Sequence, residues 1–166
     1  IDPFVIEVEE KKNITSIIHP FSREKLTQDE KIARYFVSKY IRARESYNKN
    51  TYLYNYDTVT RLLSTGSVYK KFRHQQSRPD SALNLGDGTR SVKIVSYTVR
   101  EKENESTNLR IRFYCEDKTA QNPTPTKKNY ELEMAYTYSN LILLSSERSV
   151  NPLGFQVTKY SIKQSR

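Results

Sequence analysis

The 166-residue chain has few of the residues on which catalysis and covalent stabilisation commonly depend: one cysteine, two histidines and no tryptophan. A single cysteine, Cys115, cannot form an intramolecular disulfide. Together with His19 and His74 it cannot supply the four ligands of a structural zinc site. We therefore expect neither a disulfide nor a metal centre.

Long apolar runs are also missing. The longest, Leu141 to Leu144, is far shorter than the roughly 20 residues that cross a bilayer as a helix. The chain begins at Ile1 and lacks the basic and apolar regions of a signal peptide. We interpret it as a fragment and expect any membrane anchor or export signal to lie upstream.

Motifs for catalysis or cofactor binding are absent as well. Neither histidine has a Ser, Cys or carboxylate at a spacing typical of a nucleophile and its base. The segment Gly86 to Gly88 lacks the following helix that a dinucleotide site requires. The sequence therefore predicts no catalytic residue, no metal and no cofactor.

What the chain does have is positive charge, with 28 Lys and Arg against 19 Asp and Glu and a net charge of +9. One interpretation is nucleic-acid binding. The other is a solvated basic surface that faces acidic partners or an anionic membrane. Because the basic residues are spread along the chain, we favour the second and expect no specific nucleic-acid binding.

The chain is also rich in tyrosine, with 13 residues. Several of them lie between Tyr47 and Tyr56, close to Arg42 and Arg44. They fit either a core edge with hydroxyls in water or a contact surface, because Tyr and Arg are favoured interface anchors.

The strongest helix signal begins at Thr27, where Glu30 completes a capping box. An apolar stripe at helical spacing follows. Arg44 breaks this stripe and needs a partner, either in an internal ion pair or in a groove shared with Tyr160. Tyr35 lies on the polar side. The stripe consists of Ala33, Phe36, Val37, Tyr40, Ala43 and Tyr47.

Shorter elements flank this helix. A hairpin is predicted for Val5 to Val8 and Ile14 to Ile18. Two further helices are predicted, the first from Tyr56 to Ser64, ended by Gly66, and the second from Val68 to Gln76, capped by Ser67. A loop over residues 77–90 follows.

Four strands complete the chain. Residues 91–102 are apolar on both faces and suit a covered strand. Residues 108–116 and 129–139 alternate between apolar and polar side chains. Helices followed by consecutive strands predict an α+β fold, with helices packed on a four-stranded antiparallel meander.

The last strand follows a turn signal in RSVNPLGFQVTKYSI. Asn151 is expected to bond the backbone two residues on, Pro152 to preset φ and Gly154 to adopt positive φ. After the turn, the apolar residues change from one strand face to the other. Either both faces are covered or a β-bulge shifts the register.

Three stretches carry a family resemblance: PFVIEVEEKKN, RYFVSKYIRARESYN and RSVNPLGFQVTKYSI. They resemble the VirB-eight family, whose periplasmic domain belongs to the inner-membrane assembly component of bacterial type IV secretion systems. Asn151, Pro152 and Gly154 match the family's signature turn. The resemblance extends over nearly the whole chain, with separated motifs in the same order.

The resemblance implies a nuclear-transport-factor-2-like fold, with helices packed on a curved four-stranded sheet. It also implies that residues 1–166 form one periplasmic domain of a single-pass protein of the bacterial inner membrane. The cytoplasmic tail and transmembrane helix would lie outside this chain. Its implied role is non-enzymatic and structural.

Partners and sites follow from the same resemblance. The implied partners are the outer-membrane core scaffold, the minor pilus subunit, and inner-membrane channel and ATPase components. A homodimer would use Ile32, Tyr35 and residues Ser145, Ser146 and Glu147.

The implied groove lies between the first helix and the last strand, at Arg44 and Tyr160. The alternative function is a small-molecule-binding or enzymatic member of the same fold, because this architecture often encloses a pocket.

Overall fold

A computed structural model describes residues 27–166, so the predicted hairpin and His19 lie outside the described residues. Backbone packing places a boundary between two units after Lys39, and residues 40–166 form one compact unit. No helix within residues 27–166 is both long and apolar enough to span a membrane.

The elements of the described chain follow the predicted order of helices and then strands. The second helix, α2, has a π-helical middle part between two α-helical parts. The bounds are α1 Gln28–Glu45, α2 Tyr52–Tyr54, Asn55–Val59 and Thr60–Leu63, α3 Gly66–Gln75, a 3₁₀ turn Ala82–Leu85, β1 Thr89–Glu103, β2 Ser106–Lys118, β3 Thr126–Tyr138, α4 Ser145–Arg148 and β4 Phe155–Ser165.

Helix α1 begins with the predicted capping box. The Thr27 N–H donates to Glu30 Oε1 at 3.1 Å, and the Glu30 N–H donates to Thr27 Oγ1 at 3.2 Å. All six residues of the predicted stripe are buried, although Tyr47 lies beyond the helix and bridges to Arg90. Arg44 is buried among them.

The boundaries of α2 and α3 differ from prediction. Helix α2 begins at Tyr52, four residues before the expected Tyr56. Gly66 does not end α2 but opens α3, whose N-cap is Thr65 and not Ser67. The end of α2 is fixed instead by two distant side chains, Asn151 in the turn before β4 and Gln156 in β4, which both donate to the carbonyl of Leu62.

The sheet is an antiparallel meander in the order β1-β2-β3-β4, as predicted. The alternation of β2 is also confirmed, because its apolar positions are buried. The expectation that β1 is covered on both faces is wrong. β1 is an edge strand with two register shifts, and its Val95 and Val99 are 52% and 42% exposed.

The choice left open for β4 is decided in favour of a bulge. Ala135 and Tyr136 of β3 pair with Lys159 and Val157, so Thr158 is an extra residue in β4. Because of this extra residue, the apolar side chains after the bulge lie on the same face of the sheet as those before it. Both groups therefore face the core.

Within residues 40–166 the end of α1, α2 and α3 lie against the sheet. Arg42 Nη1 donates to the Val92 carbonyl of β1 at 3.2 Å. Between α2 and α3, Ser64 forms a parallel bridge with Val157 of β4, and the Thr65 N–H donates to the Val157 carbonyl at 3.0 Å. These contacts place Arg44 over the inner face of the sheet.

Candidate functional site

A cleft of about 380 Å³ opens beside the end of α1. Its walls come from α2, α3, the segment after α3 and strands β1 to β4. Cationic side chains outnumber carboxylates in this lining, so the cleft favours an anionic or acceptor-rich ligand. The cations are Arg44, Arg78, Arg90, Lys128 and Lys163, and the carboxylates are Glu45 and Asp80.

Arg44 is the most deeply placed of these cations, with 4% of the residue exposed. Its Nη1 donates to Tyr40 Oη at 2.9 Å, and its Nη2 donates to Gln75 Oε1 at 3.1 Å. The guanidinium carbon lies 3.8 Å from the ring centre of Tyr160 and 4.9 Å from that of Phe72. Two aromatic faces thus enclose the charge and offset the cost of its burial.

The structure brings Arg44 and Tyr160 together through Glu45 as well. The Tyr160 hydroxyl donates to Glu45 Oε2, and the same oxygen lies 3.8 Å from Arg44 Nε. Burial raises the pKa of Tyr160, so its hydroxyl remains a donor at neutral pH. Burial acts to lower the pKa of Arg44, but neighbouring tyrosines and Glu45 raise it. The net effect raises the pKa of Arg44, so its guanidinium stays positively charged.

Two groups in the cleft bear on its chemistry. Burial raises the pKa of the Cys115 thiol to about 12, so it stays protonated and is a poor nucleophile. Gln76 Nε2 is buried and has no hydrogen-bond partner among residues 27–166. That amide is a donor available to a ligand with an acceptor group.

The turn before β4 is held by the side chain of Asn151, which is 1% exposed. Its Nδ2 donates to the Leu62 carbonyl at 2.7 Å and the Phe155 carbonyl at 2.9 Å. Its Oδ1 accepts from the Phe155 N–H at 2.9 Å. The prediction that the Asn151 side chain bonds the backbone two residues later is therefore wrong. The side chain reaches four residues on and across to α2, where Gln156 Nε2 also bonds Leu62 at 3.0 Å.

Gly154 adopts the predicted positive φ, at 70°. A Cβ at this position would lie 1.8 Å from the Ser139 carbonyl oxygen. The Ser139 N–H donates to the Gly154 carbonyl at 2.8 Å, so the two backbones are tied at this approach. Pro152 lies half-buried between Asn151 and Gly154. The motif thus joins the end of α2, the end of β3 and the start of β4.

The α1 residues predicted to form a dimer differ in accessibility. Ile32 is buried, with 7% exposed, and so offers little surface to a partner. Tyr35 is half-buried, with its ring 5.3 Å from that of Phe36 and 5.8 Å from Lys39 Nζ.

In α4, Ser145 and Ser146 are exposed and Glu147 is half-buried. Glu147 Oε1 accepts from the Leu144 N–H at 3.0 Å, and Oε2 lies 3.1 Å from Arg61 Nη2. The Leu144 N–H and the Arg61 guanidinium lower the pKa of Glu147. Glu147 therefore fixes the start of α4.

A curved antiparallel meander with helices against its inner face defines a nuclear-transport-factor-2-like fold, and solved structures share it. A TrwG component of a type IV secretion system from Bartonella birtlesii has a TM-score of 0.71 and 28% identity, covering 87% of this chain and 95% of that one. A TraE protein in complex with 4-(1H-pyrrol-1-yl)pyridine-2-carboxylic acid has a TM-score of 0.70 and 27% identity, covering 86% and 100%.

The sequence comparisons give the family. A family model described as VirB8 protein matches residues 1–165, so the chain belongs to the VirB8 family. An uncharacterized protein of Rickettsia prowazekii is 32% identical, and the type IV secretion system protein PtlE of Bordetella pertussis is 30% identical. The alignments cover 97% and 96% of this chain but only 65% and 68% of those relatives. The chain thus spans about two thirds of their length.

Proposed function

We propose that this chain is a non-catalytic assembly domain of a bacterial type IV secretion system, where it bridges inner-membrane and periplasmic subunits through protein contacts. The match of the VirB8 family model to residues 1–165 carries this proposal. The chemistry of the cleft supports it, because the buried Cys115 thiol is protonated and a poor nucleophile.

The domain resides in the periplasm and follows a single transmembrane helix of the inner membrane. The relatives leave room for such a helix, because about a third of their length lies outside the match. The partners are the outer-membrane core scaffold, the minor pilus subunit, and inner-membrane channel and ATPase components.

Cross-linking of the full-length protein in its native envelope tests this function. A photo-reactive residue is placed at exposed Ser145 in one strain and at exposed Thr98 of β1 in another. Cross-links to secretion subunits from at least one position are expected. Cross-links only to unrelated envelope proteins from both positions would contradict the proposal.

Self-association as a dimer is part of the same proposal, with half-buried Tyr35 and exposed Ser145 and Ser146 as contact residues. Sedimentation across a concentration series compares the wild type with Tyr35→Ala and Tyr35→Arg. We expect a concentration-dependent dimer that both changes weaken, Tyr35→Arg the more strongly. A dimer unaffected by either change would move the interface elsewhere.

A second candidate function is small-molecule binding in the cationic cleft. The TraE structures favour it, because they are complexes of TraE with pyridine carboxylic acids. Titration calorimetry with 4-(1H-pyrrol-1-yl)pyridine-2-carboxylic acid would test it here. Lys128→Gln, in the cleft, should weaken binding several-fold, whereas the control Lys127→Gln should not. Equal affinities of the two variants would exclude this cleft.

A further inference from the structure

An exposed apolar loop precedes α4. Ile142 is fully exposed, and Leu141 and Leu144 are 37% and 70% exposed. Contiguous apolar surface of this kind commonly marks a place where a protein meets a membrane or another protein. We call Leu141, Ile142 and Leu144 the apolar loop.

Hydrogen bonds hold both ends of the segment that carries this loop. Before it, the Ser139 N–H donates to the Gly154 carbonyl at 2.8 Å. At its end, the Leu144 N–H donates to Glu147 Oε1 at 3.0 Å. The apolar side chains are therefore presented from an anchored backbone, which lowers the entropy lost when they are buried.

Helix α3 carries the second feature, a basic face. Lys70, Lys71, Arg73 and His74 are all exposed, while Val68 and Phe72 of the same helix are buried. The apolar side of α3 is thus occupied by the core, and its polar side, with Lys70 and Lys71, is offered to a partner. We call these four exposed residues the basic face.

Exposed polar contacts connect the apolar loop to the basic face. Glu147, three residues after Leu144, pairs with Arg61 of α2 at 3.1 Å. Arg61 Nε donates to the Asp57 carbonyl at 3.0 Å, and the Asp57 carboxylate pairs with Arg73 at 2.6 Å. These exposed contacts run from one feature to the other across α2, and we treat the two as one surface of the unit formed by residues 40–166.

We propose that this surface adsorbs to an anionic phospholipid bilayer, with the apolar loop inserted among the acyl chains and the basic face on the headgroups. Buried apolar area and attraction to anionic lipid together are what a peripheral contact requires. The inference rests on the proposed function only in that the full protein is membrane-anchored.

Other occupants fit the surface less well. A nucleic acid would use the basic face and leave Ile142 and Leu144 in water. A second copy carries the same net charge of +9 and so offers the basic face no partner of opposite charge. An anionic bilayer satisfies both features at once.

Vesicle co-sedimentation of the 166-residue chain tests the proposal. The vesicles contain equal parts phosphatidylglycerol and phosphatidylcholine, or phosphatidylcholine alone, at low and high salt. Binding is expected only to the anionic vesicles and is expected to weaken with salt. No binding to either vesicle, or equal binding to both, would overturn the proposal.

Paired variants separate the two contributions. Ile142→Ser with Leu144→Ser should weaken binding about tenfold or more, because two large apolar side chains no longer insert. Lys70→Gln with Lys71→Gln should weaken it about fivefold for each lysine. The matched control, Lys93→Gln with Lys159→Gln, removes the same charge from exposed sheet positions and should have a smaller effect.

All these positions are exposed, and unchanged thermal melting would confirm that the variants fold. If the variant with Ile142→Ser and Leu144→Ser bound the vesicles as tightly as the wild type, the contact would be one that any polyanion could make. That result would overturn the proposal. So would a loss of self-association in that variant without a loss of vesicle binding. Cross-links to secretion subunits that persist without vesicle binding would reject this inference and leave the proposed function standing.

A spectroscopic readout is available because the chain has no tryptophan. Leu144→Trp should show a blue-shifted emission when anionic vesicles are added. Val99→Trp, on the exposed edge strand β1, should not. Equal shifts for the two reporters, or none for either, would refute insertion of the apolar loop.

Discussion

Gly154→Ala tests whether the turn before β4 depends on a backbone approach that only glycine permits. Gly154 has φ of 70°, and a Cβ there would lie 1.8 Å from the Ser139 carbonyl oxygen. The backbone conformation costs a non-glycine residue about 1–3 kcal/mol. Relief of the overlap adds about 1–3 kcal/mol, because the backbone of Ser139 must move. We expect a total loss of about 2–6 kcal/mol.

Alanine substitutions at two other glycines separate the conformational part of this cost from the steric part. Gly86 has φ of 58° and ψ of −109° but open space around a Cβ, so Gly86→Ala should cost only the conformational part, about 1–3 kcal/mol. Gly66 has neither restriction and opens α3, so Gly66→Ala should be neutral or stabilise by up to about 1 kcal/mol. The three variants therefore form a graded series.

Urea unfolding followed by circular dichroism provides the assay, with thermal melting as a second readout. At roughly 2–4 °C per kcal/mol for a chain of this size, Gly154→Ala should lower Tm by about 10 °C. Equal losses for Gly154→Ala and Gly86→Ala would mean that the approach to Ser139 carries no cost. That result would refute the proposed role of the glycine.

Three further outcomes are expected. Asn151→Ala removes three buried hydrogen bonds and should cost about 2–4 kcal/mol in urea unfolding, whereas exposed Asn140→Ala should cost almost nothing. Similar losses for the two variants would contradict the role of the Asn151 side chain in holding the turn. At pH 8, Cys115 should react with a thiol reagent about a thousandfold more slowly in the folded chain than in the unfolded chain, because its pKa in the folded chain is about 12. Comparable rates in the two states would show an accessible thiolate. Burial raises the pKa of Cys115 and Tyr56, so the unfolded chain loses these protons at lower pH than the folded chain does. The free energy of unfolding should therefore fall as pH rises above about 9. A urea midpoint that rose above about pH 9 would contradict this expectation.

The elements that could be predicted from the sequence are those set by local pattern. The capping box of α1 involves residues three apart, and the alternation of β2 reports one buried face directly. The change of face in β4 already allowed a bulge. In each case the deciding information lies within a few consecutive residues.

The errors share a different cause, which is contact between distant parts of the chain. The end of α2 is capped by Asn151, which lies 89 positions from Leu62 in sequence. The exposure of β1 follows from its place at the edge of the sheet, and its apolar pattern does not report that place. The same limit applies to the buried Gln76 amide and to the surface that joins α3 to the apolar loop.

The candidate cleft was predicted in part. Arg44 was singled out because a cation interrupts an apolar stripe, and Tyr160 as an aromatic partner for it; Tyr160 contacts Arg44 but does not line the cleft. Their stacking and the shared carboxylate of Glu45 require the folded sheet. The cations Arg78 and Lys128 lie in loops and exposed ends, where pattern carries little information.

The most direct test of an assembly role is the recovery of the secretion complex from bacteria whose own copy of the gene is replaced. The replacements are the full-length wild type, Gly66→Ala and Gly154→Ala, at matched expression. We expect the first two to yield intact complex and secretion, and Gly154→Ala to lose both together. Full complex with lost secretion would contradict an assembly role and point to a later step.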